Sequence, residues 1–358
     1  MSSKRFYAVF RTLTQRFIIE KKLGSGGFGI VYGGVRKHDQ VPVAIKIIES
    51  YQLDPKNMDC PLEVSLMRQL GPIPGVIKLY EAFYVDYMLV LVMEWIPNSI
   101  NLYEFVENEE FSPKLIQSFF HQLVETLMHC LYAGVVHHDL KPENILVDLE
   151  TNTIKLIDFG CGSFHKDYYT SFRGTEEFLP PEYYRVKKYD GEASTVWSAG
   201  VLLFCIFYDQ MPFEDVPKRL RNLETNENDI FFPEKDEVPP LCKELIQSML
   251  IFNPDNRPSL KDLLFHSAIT SPWVDSIMAE ELNDISIIII SDYDEVEIEI
   301  DDNFDMMKWD DCNFHEVHEE TAYESDSIFI DSDSSSYMCD FKGHAVENVE
   351  ILALDCGV

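Results

Sequence analysis

Val136-His137-His138-Asp139-Leu140-Lys141-Pro142-Glu143-Asn144-Ile145-Leu146-Val147 is followed closely by Ile154-Lys155-Leu156-Ile157-Asp158-Phe159-Gly160. The apolar runs at 145–147 and 154–157 flank a polar turn and are predicted to pair as antiparallel strands. That pairing brings Asn144 and Asp158 to one end of a hairpin. An amide oxygen beside a carboxylate is a hard-oxygen pair suited to Mg²⁺. Asp139 is close enough in sequence to accept a proton from a hydroxyl there, and Lys141 can neutralise phosphate charge. The plain alternative is a charged loop followed by an ordinary hairpin.

The two segments resemble the catalytic and metal-binding loops of eukaryotic protein kinases, H-R-D-L-x-x-x-N followed by D-F-G. One fixed position departs: His138 stands where that family usually has Arg. The resemblance implies an α+β, two-lobed protein kinase fold, with a small β-rich N-lobe at 17–93 and a hinge at 94–97. A larger, mainly helical C-lobe would follow at 98–270. It also implies ATP and Mg²⁺ as cofactors. Asp139 would be the catalytic base, Lys141 would steady the transferred phosphoryl group, and Asn144 and Asp158 would hold the metal.

Upstream, a predicted strand at 17–23 runs into Gly24-Ser25-Gly26-Gly27-Phe28-Gly29-Ile30-Val31, and strand character resumes at 32–35. Glycines between two strands let backbone N–H groups approach phosphates. A dinucleotide site would need a helix after the glycines. Val31, two residues past the last glycine, matches the kinase version of the motif and would cap adenine. A plain glycine hairpin is the other reading. Val43-Ala44-Ile45-Lys46 places an ammonium within an apolar strand, where a lysine needs an anion. The kinase resemblance assigns Lys46 to the ATP phosphates and to an acid on the next helix. Glu63, on a predicted helix at 60–70, is that candidate, with Glu49 the weaker one. Strands at 76–83 and 88–93 complete a five-strand sheet with one helix. Met93 would be the gatekeeper, and the backbone of Glu94 and Ile96 would face adenine. Ala44 belongs to the same nucleotide site.

Downstream, residues 161–179 have the composition of an activation loop and end in Pro180-Pro181-Glu182, close to A-P-E. Gly174-Thr175 resembles the serine/threonine-type substrate loop. Arg257 resembles the late C-lobe arginine that pairs with Glu182. The details at 134–137, 156–160, 180–183 and 193–200 together resemble the Pim group of serine/threonine kinases. One shared departure is Thr195, where most kinases carry Asp. The Pim resemblance implies activity without loop phosphorylation and preference for Arg/Lys-rich sequences before the target Ser or Thr. Glu104 and Glu143 would read those basic residues, and Asn101 stands where a third acid is expected. Ile96 replaces a Pim-like proline and restores an N–H toward adenine. An arginine at position 138 would clamp a phosphorylated loop residue through paired hydrogen bonds. Neutral His138 cannot do so, which predicts weak control by phosphorylation. The rival class is a pseudokinase-like scaffold that keeps the fold and signals by binding partners.

The 358-residue chain has a net charge of −33. Residues 275–358 hold 25 acidic residues against two lysines, so most of that charge belongs to a tail. Neither the tail nor the acidic body suits nucleic acid, which needs Lys and Arg against phosphate. An acidic body suits basic peptides. Eight scattered cysteines without metal-ligand spacing read as reduced thiols in a cytoplasmic or nuclear protein. Cys161, next to D-F-G, reads as a packed thiol, with a reactive one as the alternative. The longest apolar run, 199–208, is too short to span a bilayer and reads as a buried helix. Residues 1–16 read as a basic, disordered arm rather than a transit peptide, and 271–358 as an acidic, largely disordered tail. The tail holds Ile287-Ile288-Ile289-Ile290 and Ile328-Phe329-Ile330, each followed by acids. Both resemble SUMO-interaction motifs, which add a strand to a basic partner's sheet. Docking on the kinase body or simple solubilisation are the other readings of this tail.

Overall fold

The computed structural model describes residues 3–26, 29–49, 60–85, 88–108, 111–171, 173–213, 230–234 and 238–271. The tail motifs at 287–295 and 328–333 lie outside these residues.

The N-terminal lobe is an antiparallel sheet of β1 (Phe17–Gly26), β2 (Gly29–Arg36), β3 (Pro42–Glu49), β4 (Leu79–Val85) and β5 (Met88–Glu94), in the order β1-β2-β3-β5-β4. Register decides what each face does, because successive side chains alternate between faces. Val31 lies opposite Lys46, and Gly33 lies opposite Ala44, which in turn lies opposite Met93. These residues share one face. Val43, Ile45 and Ile47 take the other, with Val90 and Val92 on the neighbouring strand. The fourth strand starts later than its sequence suggests. Val76 instead bridges in parallel to Leu156, which ties the sheet's lower margin to the second lobe.

The disordered arm expected at 1–16 is corrected by the structure. Residues Ser3–Arg16 form a helix, α1. No Gly or Pro interrupts it, and Val9, Leu13 and then Phe17 recur every fourth residue along one side. Val9 and Leu13 are fully buried against the face carrying Val43, Ile45 and Ile47. The helix end is fastened by Arg16, whose guanidinium donates to both Glu81 oxygens at 2.8 and 2.6 Å and lies over Phe83. Lys37 caps the last turn by donating from Nζ to the Thr14 carbonyl at 2.7 Å. Leu13→Ala is expected to cost about 2–5 kcal/mol of stability. Thermal melting of the variant beside wild type checks this, and an unchanged midpoint would return α1 to the status of a loose arm.

Helix α2 (Leu62–Gln69) packs behind the sheet through Val64, Leu66 and Met67, and starts two residues later than the sequence suggests. In the C-terminal lobe, α3 (Leu102–Asn108) leads to α4 (Pro113–Tyr132). Ser112 caps α4 by accepting from the Leu115 N–H, and Pro113 occupies the first turn, where no N–H is needed. Helix α5 (Pro181–Val186) precedes α6 (Gly191–Tyr208), which Asp190 caps by accepting from the Ala193 N–H. By length and composition α6 could cross a membrane. It is instead the central core helix, with Val196, Trp197, Leu203 and Phe204 essentially without solvent contact.

Candidate active site

Strands β6 (Ile145–Asp148) and β7 (Thr153–Leu156) pair with Ile145 opposite Leu156. The Ile157 N–H donates to the Asn144 carbonyl at 2.9 Å, so Asn144 and Asp158 do meet at one end of the hairpin. Asn144 Nδ2 donates to the Asp139 carbonyl at 2.8 Å and to Asp139 Oδ2 at 3.0 Å. This orientation leaves the amide oxygen with no donor among the described residues. Asp158 sits in the left-handed region at φ 61° and accepts from the Gly160 N–H and from Lys46. Those two bonds fall on Oδ1, and its other oxygen is bonded to no group among the described residues. The resulting donor set, one amide and one carboxylate oxygen, fits Mg²⁺, which keeps several waters and takes few protein ligands.

Lys46 is buried, and its Nζ lies 2.7 Å from Glu63 and 2.9 Å from Asp158. Burial opposes its charge, but the two carboxylates outweigh it and push the lysine pKa above its ordinary value. It is therefore an ammonium, and Glu63 rather than Glu49 supplies the facing anion. Phe159 is fully buried beneath this cluster, edge-on to His137 with ring centres 4.7 Å apart. His137 Nε2 donates to the Ile157 carbonyl at 2.9 Å, while its Nδ1 accepts from the Asp139 N–H. The ring is thus neutral, in keeping with a pKa lowered mainly by burial.

Asp139 accepts from Thr175 Oγ1 at 2.6 Å, and Lys141 Nζ lies 3.1 Å from its other oxygen. Lys141 also donates to Thr175 Oγ1 at 2.9 Å. Burial would raise the Asp139 pKa, but hydrogen bonds from Thr175, Lys141 and Asn144 together pull it below the ordinary value. Thr175, expected to face substrate, is therefore part of the carboxylate–ammonium cluster itself. Gly174 makes this crossing feasible: at φ +90° its missing Cβ would collide with the His138 carbonyl oxygen.

At the glycine-rich hairpin, Gly24 lies opposite Val31, Ser25 opposite Ile30 and Gly26 opposite Gly29. Gly29, at φ +118°, lies against the Ile47 carbonyl with no room for a side chain. Gly27 and Phe28 at the tip fall outside the described residues. In the hinge, the Glu94 side chain lies 3.3 Å from Lys155 and its N–H donates to the Lys78 carbonyl. The Ile96 N–H donates to no group among the described residues. Sequence reasoning missed Trp95, whose indole lies over β2 where a Cβ at Gly33 would come within 2.9 Å. Glu104 and Glu143 are both exposed, on α3 and on the adjacent turn Pro142–Asn144. Asn101 caps α3 by accepting from the Glu104 N–H at 2.9 Å, which gives a structural use to the position where a third acid was expected.

Two expectations about support under the loop come out differently. Glu182 and Arg257 pair through both guanidinium nitrogens at 2.9 and 2.6 Å, and both residues are buried. Thr195, in the usual position of an aspartate, donates to the Gly191 carbonyl of its own helix at 2.7 Å. It gives the catalytic loop no hydrogen bond.

A buried lysine, three carboxylates, an amide and a second lysine thus converge between a β-lobe and a helical lobe. This is the constellation of a phosphoryl-transfer cleft. The protein kinase domain family matches residues 17–274. The serine/threonine-protein kinase prk-2 of Caenorhabditis elegans is 32% identical over 271 residues, which is 74% of this chain and 59% of that protein. The serine/threonine-protein kinase pim-2 of Danio rerio is 35% identical over 282 residues, covering 73% and 85% respectively. An Aurora kinase of Dictyostelium discoideum is 32% identical over 262 residues, covering 72% and 65%. The chain belongs to the protein kinase family, in its serine/threonine branch.

Proposed function

We propose that the chain transfers the γ-phosphoryl group of ATP to Ser or Thr of basic, Pim-type substrates. One observation carries the reading. Lys46, Glu63 and Asp158 form one hydrogen-bonded cluster and Asp139, Lys141 and Asn144 a second, set side by side by the Ile157–Asn144 backbone hydrogen bond, with no member replaced. A pseudokinase-like scaffold would have no need of the complete set.

Asp139 Oδ1, which holds the Thr175 hydroxyl in this structure, is the acceptor for the substrate hydroxyl proton as its oxygen attacks the γ-phosphorus. The bond from that phosphorus to the bridging oxygen breaks, and the leaving ADP oxygen takes the electron pair. Lys141 faces the charge that spreads over the phosphoryl oxygens in such transition states. Lys46, fixed by Glu63, would hold the non-transferred phosphates, with the described glycine-rich strand ends Gly24–Gly26 and Gly29 supplying backbone N–H groups. Val31 and Ala44 would flank adenine beside Met93, and the free Ile96 N–H would donate to it. Asn144 and Asp158 would hold Mg²⁺, which would supply positive charge against the phosphates. Positioning and fixed charge account for most of such catalysis.

The basic preference is supported by the exposed carboxylates Glu104 and Glu143, with Asp209 near enough to act electrostatically on the same Tyr103 as Glu143. Purified full-length protein, Mg-ATP and an Arg-rich Ser peptide should give phosphopeptide. ATP binding without turnover would favour the scaffold. Reversing Glu104 and Glu143 to Arg together is expected to raise KM for that peptide about three- to tenfold, an exposed-charge effect that salt weakens. An equal rise for a neutral peptide would remove these two acids from the recognition site. Cytoplasmic or nuclear location is part of the proposal, supported by Cys130, Cys161, Cys205 and Cys242 forming no disulfide among the described residues. Burial raises the Cys161 pKa, which argues for the packed reading of that thiol.

A further inference from the structure

His138, at φ 66°, turns its ring away from the reacting groups and into the activation segment. Its Nε2 shares a 2.8 Å hydrogen bond with Ser163 Oγ, on β8 (Ser163–Phe164). Tyr169 meets the ring edge-on with centres 4.5 Å apart, and Tyr189 does so at 5.9 Å. The two tyrosines stack on each other at 5.3 Å, and their backbones exchange hydrogen bonds of 2.8 and 3.0 Å. Tyr169 Oη donates to the Phe164 carbonyl at 3.0 Å and accepts from the Lys166 N–H at 3.1 Å. Tyr189 Oη lies 3.4 Å from both the Ser171 carbonyl and His138 Nδ1. Both tyrosines and Ser163 are buried. Beyond them, Gly174 lies on the His138 carbonyl and Thr175 reaches Asp139.

The segment is thus fixed near its start at Ser163, in its middle at Tyr169 and at its exit by Gly174, all through one residue of the catalytic loop. An arginine at position 138 would need an anion to pair with, which a loop phosphate supplies. The ring that stands here needs none. Burial first, then Arg173 nearby, hold its pKa down to about 3. Aromatic stacking and backbone pairing do not depend on a modification.

We propose that Tyr169 and Tyr189 are positioning residues for phosphoryl transfer, holding Ser163, Ser171 and Gly174 around His138 so that Thr175 meets Asp139 with no phosphate on the segment. The proposal rests on the reading of the chain as an active kinase. Its test uses full-length protein, a broad-specificity phosphatase, ATP titration and peptide kinetics. Phosphatase treatment should leave kcat unchanged. Tyr169→Ala and Tyr189→Ala should each lower kcat at least about tenfold, the penalty of misplaced groups, while ATP affinity stays as in wild type. Trypsin should cut faster at Lys166 and Arg173 in those variants. Tyr189→Phe, which keeps the stacked ring, should recover most of the rate. His138→Arg, which places a charge beside Arg173, should lower kcat.

Loss of wild-type activity on dephosphorylation would overturn the proposal. So would wild-type kcat in an alanine variant that binds ATP normally. If an alanine variant fails to bind ATP, the phosphatase result and the Tyr189→Phe rate decide instead. Wild-type protein that binds ATP but never transfers phosphate would overturn the kinase reading itself, an outcome distinct from these.

Discussion

Asp139→Asn is expected to lower kcat by about 10²- to 10⁴-fold, the range for removing a positioned proton acceptor. The substitution is nearly isosteric. Thr175, Asn144 and Lys141 keep a polar partner, but the negative charge that pairs with Lys141 at 3.1 Å is gone. ATP affinity should hardly move, because Lys46 and Glu63 are untouched. A single-turnover assay separates the two quantities, and wild-type transfer by the variant would remove Asp139 from the mechanism. The same group sets a pH expectation. Its folded pKa lies below the ordinary value, so the carboxylate and the stability it contributes persist above the unfolded pKa and fade only as pH falls through the folded one. The acid limb due to Asp139 should therefore lie below about pH 4. A midpoint near 6 would point to a different ionising group.

Arg257→Ala is expected to cost about 3–5 kcal/mol, as breaking one side of a buried ion pair generally does. Glu182 would keep its charge in a site that is 6% exposed. More than the pair is lost. The guanidinium also donates to the carbonyls of Ile251 at 2.7 Å and Ala193 at 2.9 Å, and lies 5.0 Å from the Trp197 ring centre. Arg257→Lys should fail nearly as badly, because an ammonium cannot reproduce the two-nitrogen fork. A fall in melting temperature on the order of 10 °C would follow from that energy in a domain of this size. Loss below about 1 kcal/mol in denaturant titration would mean that water or a neighbour replaces the arginine.

Where local chemistry forces a partner, sequence reading succeeded. A lysine in the middle of an apolar strand has to find an anion, and it finds Glu63 on the next helix. A hairpin with Ile145 opposite Leu156 has to bring Asn144 to Asp158. The pairing of Glu182 with Arg257 was legible only through family resemblance, since 75 residues separate the two. The aromatic cluster around His138 was not legible at all. Tyr189 is unremarkable in its own neighbourhood, and only the return of the chain along Tyr169 gives it a role. The α1 helix was readable in principle, because Val9, Leu13 and Phe17 repeat at helical spacing. Its basic composition points to an arm, and only the apolar side marks it as a packed helix.

That helix has a practical consequence for anyone producing the protein. The family match begins at residue 17, an inviting place to start a recombinant fragment. A fragment cut there loses Val9 and Leu13 and uncovers Val43, Ile45, Ile47, Phe83, Val90 and Val92 together. Soluble monomers rarely tolerate an apolar patch of that kind. Poor yield or aggregation of such a fragment would report a missing lid on the sheet, and restoring the preceding fourteen-residue helix should recover soluble protein.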